Sequence, residues 1–414
     1  MRPAGSNPLH PRRHWRAMLV LLATACCLAG HAQARSPARA GPVAAPSVAA
    51  GAATEDADTL LIGFAGPLSG HSSGVGKSMQ NAVQLALDEA NRKGVRVAGK
   101  NYRFKLAAQD DRADAGTAEY VARYLVSQKV LAVVGHWNSS ATLAAAPVYH
   151  AAGVIQVSPA SMSRRFTEMS YPAVFRTIPN NVSVGRLSAE FAVRKLGVKT
   201  LATIDDRTPF GRGLAEQVAR TARDQGVEVV GSYSVSDKTS DFNSPLKQIR
   251  QRNPDLIFFG GMDWQAGLIA KAIKRLKINS RLMGSPGTVG LPFLMQASAD
   301  GNGMLVLEPG AAPDKMAGWK SFRQRYSENF DTNVDLYAIF AYDAAQALVN
   351  AVRQANSIDP AGVAREMHRL RFAGVSGTIA FNEEGDLLQP TFTMYEVQDQ
   401  RWMPLFQVDG GTLR

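Results

Sequence analysis

The sequence predicts an α/β fold in which two lobes are each built from a parallel sheet covered by helices. The first observation is that apolar, strand-length runs alternate with amphipathic, helix-length segments from residue 59 onward. The second is that the alternation forms two series, residues 59–179 and 180–307, with a proline-containing segment at 171–181 between them. Such alternation favours parallel strands with helices on both faces, and ligands then bind beyond the carboxyl ends of the strands.

Each element is justified by its apolar periodicity. Short apolar runs between turn residues predict strands at residues 60–65, 104–109, 131–134, 201–204, 228–233, 256–259 and 281–283. Segments with one apolar face predict helices at residues 77–93, 113–126, 141–150, 184–196, 211–224, 243–252, 265–276, 315–328 and 338–355. Residues 305–314 contain Pro309 and Pro313 and are expected to cross between the lobes, before late strands at 378–381 and 391–397.

The first 34 residues have the pattern of a cleavable export signal, which predicts a periplasmic protein. Arginines precede an apolar stretch at 17–30, and Ala32-Gln33-Ala34 matches a cleavage site. Two alternatives stay open: a twin-arginine signal through Arg12-Arg13, and a lipoprotein signal acylated at Cys26 or Cys27. Residues 35–58 are rich in Ala, Pro, Gly and Ser and predict a flexible linker.

Composition excludes several classes of function. The 414-residue chain has a formal net charge of +11 at pH 7, but its basic and acidic residues are interleaved and no nucleic-acid-binding motif is present. No nucleic-acid partner is therefore expected. Both cysteines lie in the predicted signal, so the exported protein should contain no disulfide. No later segment has 18 consecutive apolar residues, which argues against a membrane span.

Residues 59–93 combine a predicted strand, a Gly/Ser-rich turn and a long helix, and three interpretations compete for them. Gly76-Lys77-Ser78 resembles the end of a P-loop, but His71 stands where that motif requires glycine. Residues 70–74 match G-x-S-x-G, which would make Ser72 a hydrolase nucleophile, although the first strand of a domain is an unusual place for this motif. The candidate bases would be His136, His150 and His368. The third interpretation is a binding loop whose backbone N–H groups approach an anion.

Nine segments then stand in the order found in a known family: IGFAGPLSG at 62–70, QDDRAD at 109–114, VVGHWNSSAT at 133–142, GVIQVSPAS at 153–161, FRTIPNN at 175–181, DDRTPFGRGLAEQ at 205–217, DLIFFGG at 255–261, YAIFAYDAAQAL at 337–348 and SGTIAFNEEGD at 376–386. Through them the chain resembles the periplasmic solute-binding proteins of branched-chain amino acid ABC transporters, which are type I periplasmic binding proteins. The resemblance implies two Rossmann-like lobes, a three-segment hinge and a ligand enclosed between the lobes. It assigns residues 59–179 plus 308–381 to the first lobe, and 180–307 plus 382–414 to the second.

The resemblance also implies where the ligand carboxylate is held. In amino-acid binders of this family, two loops of the first lobe hold that group. Here they map onto Trp137, Asn138 and Ser139, and onto Ala160 and Ser161. The residue chemistry agrees, because serines at the start of a predicted helix offer a hydroxyl together with free N–H groups.

The second lobe departs from the family pattern. Phe210 keeps the expected aromatic, but Met262 replaces a tyrosine, and Pro286 replaces the glutamate that holds the ligand ammonium. Asp263 and Trp264 follow Met262 directly, so Asp263 is the nearest substitute carboxylate in the sequence and Trp264 could flank the ligand. A buried ammonium without a charged partner would cost several kcal/mol. The late crossing region keeps its aromatic at Tyr337.

The expected function is an exported substrate-binding protein, not an enzyme, that captures a small solute and delivers it to the permease of an ABC importer. Neither a cofactor nor a metal is expected, and the chain is expected to act as a monomer. A subunit that reports ligand occupancy to a membrane receptor is an open alternative, and a serine hydrolase using Ser72 is the enzymatic one. The expected ligand is an amino acid or another small carboxylate-bearing solute. Because the ammonium partner is missing, an aromatic or apolar carboxylate is a candidate, and leucine is not assumed by default.

Overall fold

The computed structural model describes residues 57–413. The predicted signal peptide at 1–34, with Cys26 and Cys27, and the predicted linker as far as residue 56 lie outside the described residues. In the part of the chain that is described, no helix is both long enough and apolar enough to cross a membrane.

The first sheet belongs to the N-terminal lobe and has six strands in the order β2-β3-β1-β4-β5-β6. Its strands are β1 (Asp58–Gly66), β2 (Val95–Val97), β3 (Lys100–Asp110), β4 (Ala132–Gly135), β5 (Ile155–Ser158) and β6 (Val174–Arg176). All neighbours are parallel except β2 and β3, which form an antiparallel hairpin. Every residue of β4 and β5 is buried, because helices cover both faces of a parallel sheet.

The second sheet belongs to the other lobe and mixes parallel and antiparallel pairing. Its parallel part contains β7 (Thr200–Asp205), β8 (Glu228–Ser234), β9 (Leu256–Gly260), β10 (Arg281–Gly284) and β11 (Leu305–Pro309). A small separate hairpin of β12 (Arg371–Ala373) and β13 (Thr378–Ala380) follows in the chain. The last strands, β14 (Phe392–Gln398) and β15 (Arg401–Val408), return to the second sheet and complete the order β15-β14-β11-β10-β9-β7-β8.

Helices cover both sheets. Those that follow strands of the first sheet are α1 (Ser73–Arg92), α2 (Ala115–Ser127), α3 (Ser139–Ala151) and α4 (Arg165–Glu168). Those of the second series are α5 (Asn181–Arg194), α6 (Pro209–Asp224), α7 (Asn243–Arg252), α8 (Asp263–Arg275) and α9 (Leu291–Ala297). The chain then returns to the first lobe with α10 (Trp319–Phe330), α11 (Leu336–Ala355) and α12 (Pro360–Arg369), where α11 packs along α1.

Three segments connect the lobes, at residues 177–180, 310–318 and 381–391. A buried ion pair fastens the last residue of β6, directly before the first segment, to the third segment: Arg176 Nε lies 2.6 Å from Asp386 Oδ1, and the Arg176 side chain is fully buried. Asn180 Nδ2 donates a hydrogen bond to the other carboxylate oxygen of Asp386 at 2.8 Å. Asn180 is also the N-cap of α5, so one carboxylate ties the entrance of the second lobe to the late crossing.

Some elements differ from the sequence expectation. Residues 305–314 do not cross as a whole, because Leu305–Pro309 is the fully buried β11, and Pro309 is tolerated as the last residue of that strand. The helix expected from residue 315 begins at Trp319, since a 3₁₀ turn occupies Pro313–Lys315. The sequence pattern also failed to predict eight further elements, most of which are short: β2, β5, β6, β12, β15, α4, α9 and α12.

Candidate ligand-binding site

A cavity of about 390 Å³ lies at the carboxyl ends of strands from both sheets. Its first-lobe wall consists of Ser72, Ala113, Asp114, Ala115, Trp137, Asn138, Ser139, Ser140, Ala160 and Met162. Its second-lobe wall consists of Asp206, Thr208, Phe210, Asp237, Met262, Pro286 and Gly287, and Tyr337 from the start of α11 completes it. The volume falls within the range of small-molecule sites.

Eight of the eleven residues named from the sequence line this cavity: Trp137, Asn138, Ser139, Ala160, Phe210, Met262, Pro286 and Tyr337. Ser161, Asp263 and Trp264 do not. Three further lining residues were not predicted from the sequence: Asp114, Asp206 and Asp237. Two of these could have been found by position, since Asp114 and Asp206 follow the carboxyl ends of β3 and β7 within a few residues.

The start of α3 presents hydrogen-bond donors to the cavity. Asn138 caps this helix, because its Oδ1 accepts from Ala141 N at 2.8 Å, while its Nδ2 donates to Ala113 O at 2.6 Å. The side chain of Asn138 is therefore occupied in shaping the loop. The backbone N–H groups of Ser139 and Ser140 open the helix, where no intrahelical acceptor exists, so they suit an anionic ligand.

Ser139 adds a hydroxyl to this donor set. Its Oγ accepts one hydrogen bond from Ser161 Oγ at 3.2 Å and a second from Ser163 N at 3.3 Å. Because both bonds are accepted, the hydroxyl proton of Ser139 is left to donate, and Ser139 lies at the cavity wall. Ser161 thus orients Ser139 from behind the wall.

A buried trio supports the loop that carries these donors. His136 Nδ1 lies 2.6 Å from Asp111 Oδ2, and His136 Nε2 lies 3.2 Å from the Tyr149 hydroxyl. Burial is the main cause that raises the pKa of Tyr149, and the Asp111 carboxylate adds to it. The backbone carbonyl of His136 accepts from Ser158 Oγ at 3.0 Å, which joins the residue after β4 to the last residue of β5.

On the second lobe, Thr208 caps α6 and positions Asp206. The Thr208 Oγ1 accepts from Gly211 N at 2.9 Å and donates to Asp206 Oδ1 at 2.6 Å; Thr208 N donates to the same oxygen at 2.9 Å. Asp206 is 1% exposed, and its Oδ2 has no hydrogen-bond partner within residues 57–413. Burial raises the pKa of Asp206 to about 6, and the neighbouring Asp205 and Asp237 add to the rise.

The loop that carries Pro286 is held by the carboxyl group of Glu308, a residue that was not predicted from the sequence. Glu308, on β11, accepts from Gly287 N at 2.7 Å and more weakly from Val289 N at 3.5 Å. Complete burial raises the pKa of Glu308 to about 8, so this side chain is largely protonated at neutral pH. Tyr337 closes on the same loop, since a Cβ on Gly287 would lie 3.0 Å from its hydroxyl.

Asp263 and Trp264 occupy the first turn of α8, beside the cavity rather than in its wall. The Asp263 Oδ1 accepts from Trp264 N at 2.7 Å, and burial raises the pKa of Asp263. The carboxylate that the sequence suggested as a substitute for the missing glutamate is therefore already engaged with its own helix.

A family model described as "Periplasmic binding protein" matches residues 59–401. The chain belongs to this family. The leucine-, isoleucine-, valine-, threonine- and alanine-binding protein of Pseudomonas aeruginosa is 28% identical over 344 residues, which cover 82% of this chain and 90% of that protein. The match confirms the family predicted from the nine segments.

Solved structures confirm the fold of this periplasmic binding protein. A leucine-binding protein from Thermotoga maritima superposes with a TM-score of 0.77 at 24% identity, covering 84% of this chain and 98% of that one. A solute-binding protein from R. palustris, solved in complex with benzoate, superposes with a TM-score of 0.73 at 20% identity, covering 84% and 95%. The first is described as a leucine-binding protein and the second as the solute-binding protein of an ABC transporter. At these sequence identities, the similarity supports the fold alone.

The hydrolase constellation is not assembled around Ser72 in this periplasmic binding protein. Ser72 precedes α1 and lines the cavity, but His136 is enclosed by Asp111 and Tyr149. His150 stacks on Tyr171 with ring centroids 3.9 Å apart, and His368 lies against the carbonyls of Pro172 and Asn382. Among the described residues no histidine forms a hydrogen bond with Ser72.

Proposed function

We propose that this chain is the exported substrate-binding protein of an ABC importer, and that it captures an amino acid or another small carboxylate-bearing solute between its lobes. One observation carries the proposal: Ser139 places an undonated hydroxyl proton and a helix N-terminus at the wall of a cavity lined from both lobes. These donors match a carboxylate, and the site needs no catalytic base. The relative in P. aeruginosa binds amino acids by its description, and the R. palustris neighbour holds benzoate, which are both carboxylates.

The remaining wall favours an apolar body on the ligand. Trp137, Phe210, Met262 and Pro286 contribute apolar surface from both lobes. A ligand shifts the lobes toward a closed arrangement only if it binds that arrangement more tightly than the open one. An apolar group touching both lobes supplies that difference, because its burial is complete only when the lobes meet.

A ligand screen by thermal shift tests the proposal. The probes are the twenty common L-amino acids, benzoate and short-chain carboxylates, and each hit is then titrated calorimetrically. A specific carboxylate should raise the unfolding midpoint in a concentration-dependent way. If no carboxylate binds while uncharged solutes do, the assignment of Ser139 to an anion is wrong.

The cellular setting is part of the proposal. We infer a monomer that works in the periplasm and passes its ligand to a membrane permease. Mass spectrometry of the protein purified from a native-type host should show a chain beginning at Arg35. A lipid-modified chain beginning at Cys26 or Cys27 would instead establish an anchored form, and cross-linking to a receptor kinase rather than to a permease would favour the sensor alternative.

A further inference from the structure

Basic side chains collect at the end of the second lobe that lies opposite the cavity. Strands β7, β8, β9 and β10 are parallel neighbours, and residues that follow each of them line the cavity. Their amino ends therefore lie together at the far end of the lobe. The segments that lead into them, 194–199, 223–228, 250–255 and 274–281, form a surface that we call the basic end. It carries ten cations: Arg194, Lys195, Lys199, Arg223, Arg250, Arg252, Lys274, Arg275, Lys277 and Arg281.

The basic end has few counter-charges. All ten cations are exposed, and the acids in the same segments are Asp224, Glu228 and Asp255. Among the described residues, only Arg281 of the ten forms an ion pair, with Glu396 at 3.2 Å. Arg275 donates a hydrogen bond to Asn243, and Lys199 acts electrostatically on Asp255. Most of the positive charge is therefore available to an external anion.

Helix dipoles account for only part of this charge. All four helices that lead into these strands, α5 to α8, carry Lys or Arg in their last turn, where a cation is favourable. In the first lobe, α2 and α3 lead into β4 and β5 without a Lys or Arg in their last turn. The cations that follow the last residue of a second-lobe helix are Lys195, Lys199, Lys277 and Arg281. The basic end therefore holds more charge than its helix ends require.

The shape and composition of the basic end favour a lipid surface over a protein or a nucleic acid. The strand register places the first residues of β7, β8, β9 and β10 level to within one residue, so the segments before them lie side by side. None of the large apolar side chains that are exposed in residues 57–413 lies in these segments. Protein interfaces and single-stranded nucleic-acid sites use aromatic or apolar anchors, whereas attraction to an anionic membrane needs only cations.

We propose that the basic end binds the anionic headgroups of a membrane surface and so holds the exported chain reversibly beside the bilayer. The inference goes beyond the proposed function, and it does not depend on which solute the cleft binds. The cavity lies at the opposite end of the same strands, so it stays clear of the lipid. Attraction between exposed charges is screened beyond about 8 Å at physiological salt, so the binding should be sensitive to salt.

Vesicle sedimentation of the exported chain tests the inference. The parent chain carries Cys26→Ala and Cys27→Ala, which prevent acylation, so that no lipid anchor contributes. Vesicles of phosphatidylglycerol mixed with phosphatidylcholine should bind it, and vesicles of phosphatidylcholine alone should not. Raising NaCl from about 0.05 M to about 0.5 M should release it. Because each cation near an anionic surface adds to binding, a basic-end variant should bind at least about 10-fold more weakly. Its four changes are Lys195→Gln, Lys199→Gln, Lys274→Gln and Lys277→Gln.

A matched control removes the same charge from exposed positions of the first lobe, through Lys93→Gln, Lys100→Gln, Lys129→Gln and Lys320→Gln. The control should keep most of the binding, and both variants should keep the unfolding midpoint of the parent chain. Equal weakening by the two variants would overturn the inference, because binding would then follow net charge alone. Absence of binding to the anionic vesicles at low salt would also overturn it. Retention on heparin without binding to vesicles would refute a membrane partner in favour of another polyanion.

Discussion

The hydroxyl of Ser161 donates a hydrogen bond to the hydroxyl oxygen of Ser139, with 3.2 Å between the two oxygens. Ser161 does not line the cavity and Ser139 does, so the pair consists of a donor to the ligand and a residue that orients it. Two loops, one after β4 and one after β5, are joined by this contact. Substituting each serine in turn can therefore separate the donor role of Ser139 from the orienting role of Ser161.

Ser139→Ala should weaken binding of a carboxylate ligand by roughly 1–3 kcal/mol, because one donor to a charged group is lost. Ser161→Ala should cost less, since the N–H of Ser163 still donates to Ser139 Oγ at 3.3 Å. Calorimetric titration with the best ligand from the screen measures both losses. Ser183→Ala, at the first turn of α5 and away from the cavity, is the control. Unchanged affinity in Ser139→Ala would remove this serine from the site.

Tryptophan fluorescence distinguishes the two tryptophans that the sequence placed near the ligand. Trp137 lines the cavity and Trp264 does not. Ligand addition should therefore change the emission of the wild type and of Trp264→Phe, whereas Trp137→Phe should lose most of the change. The variants remove similar ring systems, so they control for each other. A response that vanishes with Trp264→Phe and persists with Trp137→Phe would place the ligand elsewhere.

Glu308 should make stability depend on pH in the neutral range. Burial raises its pKa from 4.5 to about 8, so the folded protein holds a proton that the unfolded chain releases between these values. The free energy of unfolding should therefore fall as the pH rises from about 4.5 to 8, and the loss should be complete above 8. Glu308→Gln keeps a neutral side chain that can accept from Gly287 N, and should remove this part of the dependence.

Urea unfolding at pH 6, 7, 8 and 9 measures the effect as a difference between the wild type and Glu308→Gln. Taking the difference cancels groups that titrate equally in both proteins. Burial also raises the pKa of Asp343 to about 6, and that group remains in both. Parallel curves over this range would show that Glu308 stays ionised in the folded protein.

Removing Asp386 should destabilise the protein strongly. Arg176 is fully buried, and Asp386→Ala would leave its guanidinium with the carbonyls of Ser161 and Ser163 but without the carboxylate that pairs with it directly. We expect a loss of about 3–5 kcal/mol in the free energy of unfolding. Thermal or urea unfolding measures it without any ligand.

The control for Asp386 is an exposed ion pair. Glu119 lies 2.6 Å from Arg123 on α2, and both side chains are largely exposed. Glu119→Ala should cost less than about 1 kcal/mol. Equal losses in Glu119→Ala and Asp386→Ala would mean that the buried pair contributes little to joining the crossing segments.

Local pattern predicted three of the six strands of the first sheet, namely β1, β3 and β4, and five of the seven strands of the second, namely β7, β8, β9, β10 and β14. The apolar runs of β1, β4 and β9 are short, continuous and bounded by turn residues, so burial on both faces could be read from the chain. β11 was taken for a crossing because proline marks turns, and only its pairing with β14 shows that Pro309 ends a strand. The type of an element depends mainly on residues near it in the sequence, whereas the pairing of a strand depends on segments that are distant in the sequence.

The sequence by itself determined the α/β class, the two series of elements, the family, and helix starts such as that of Ser139, because each depends on short local patterns and on their order along the chain. Tertiary structure decided which side chains remain free. Asp206 has an unpaired oxygen because Thr208 donates both of its hydrogen bonds to Oδ1, whereas Oδ2 is buried without a donor among the described residues. Arg176 pairs with a residue 210 positions later, and Glu308 holds the loop at Gly287 from another strand. Burial and long-range pairing set the charge and donors of the cavity, and neither leaves a local mark in the chain.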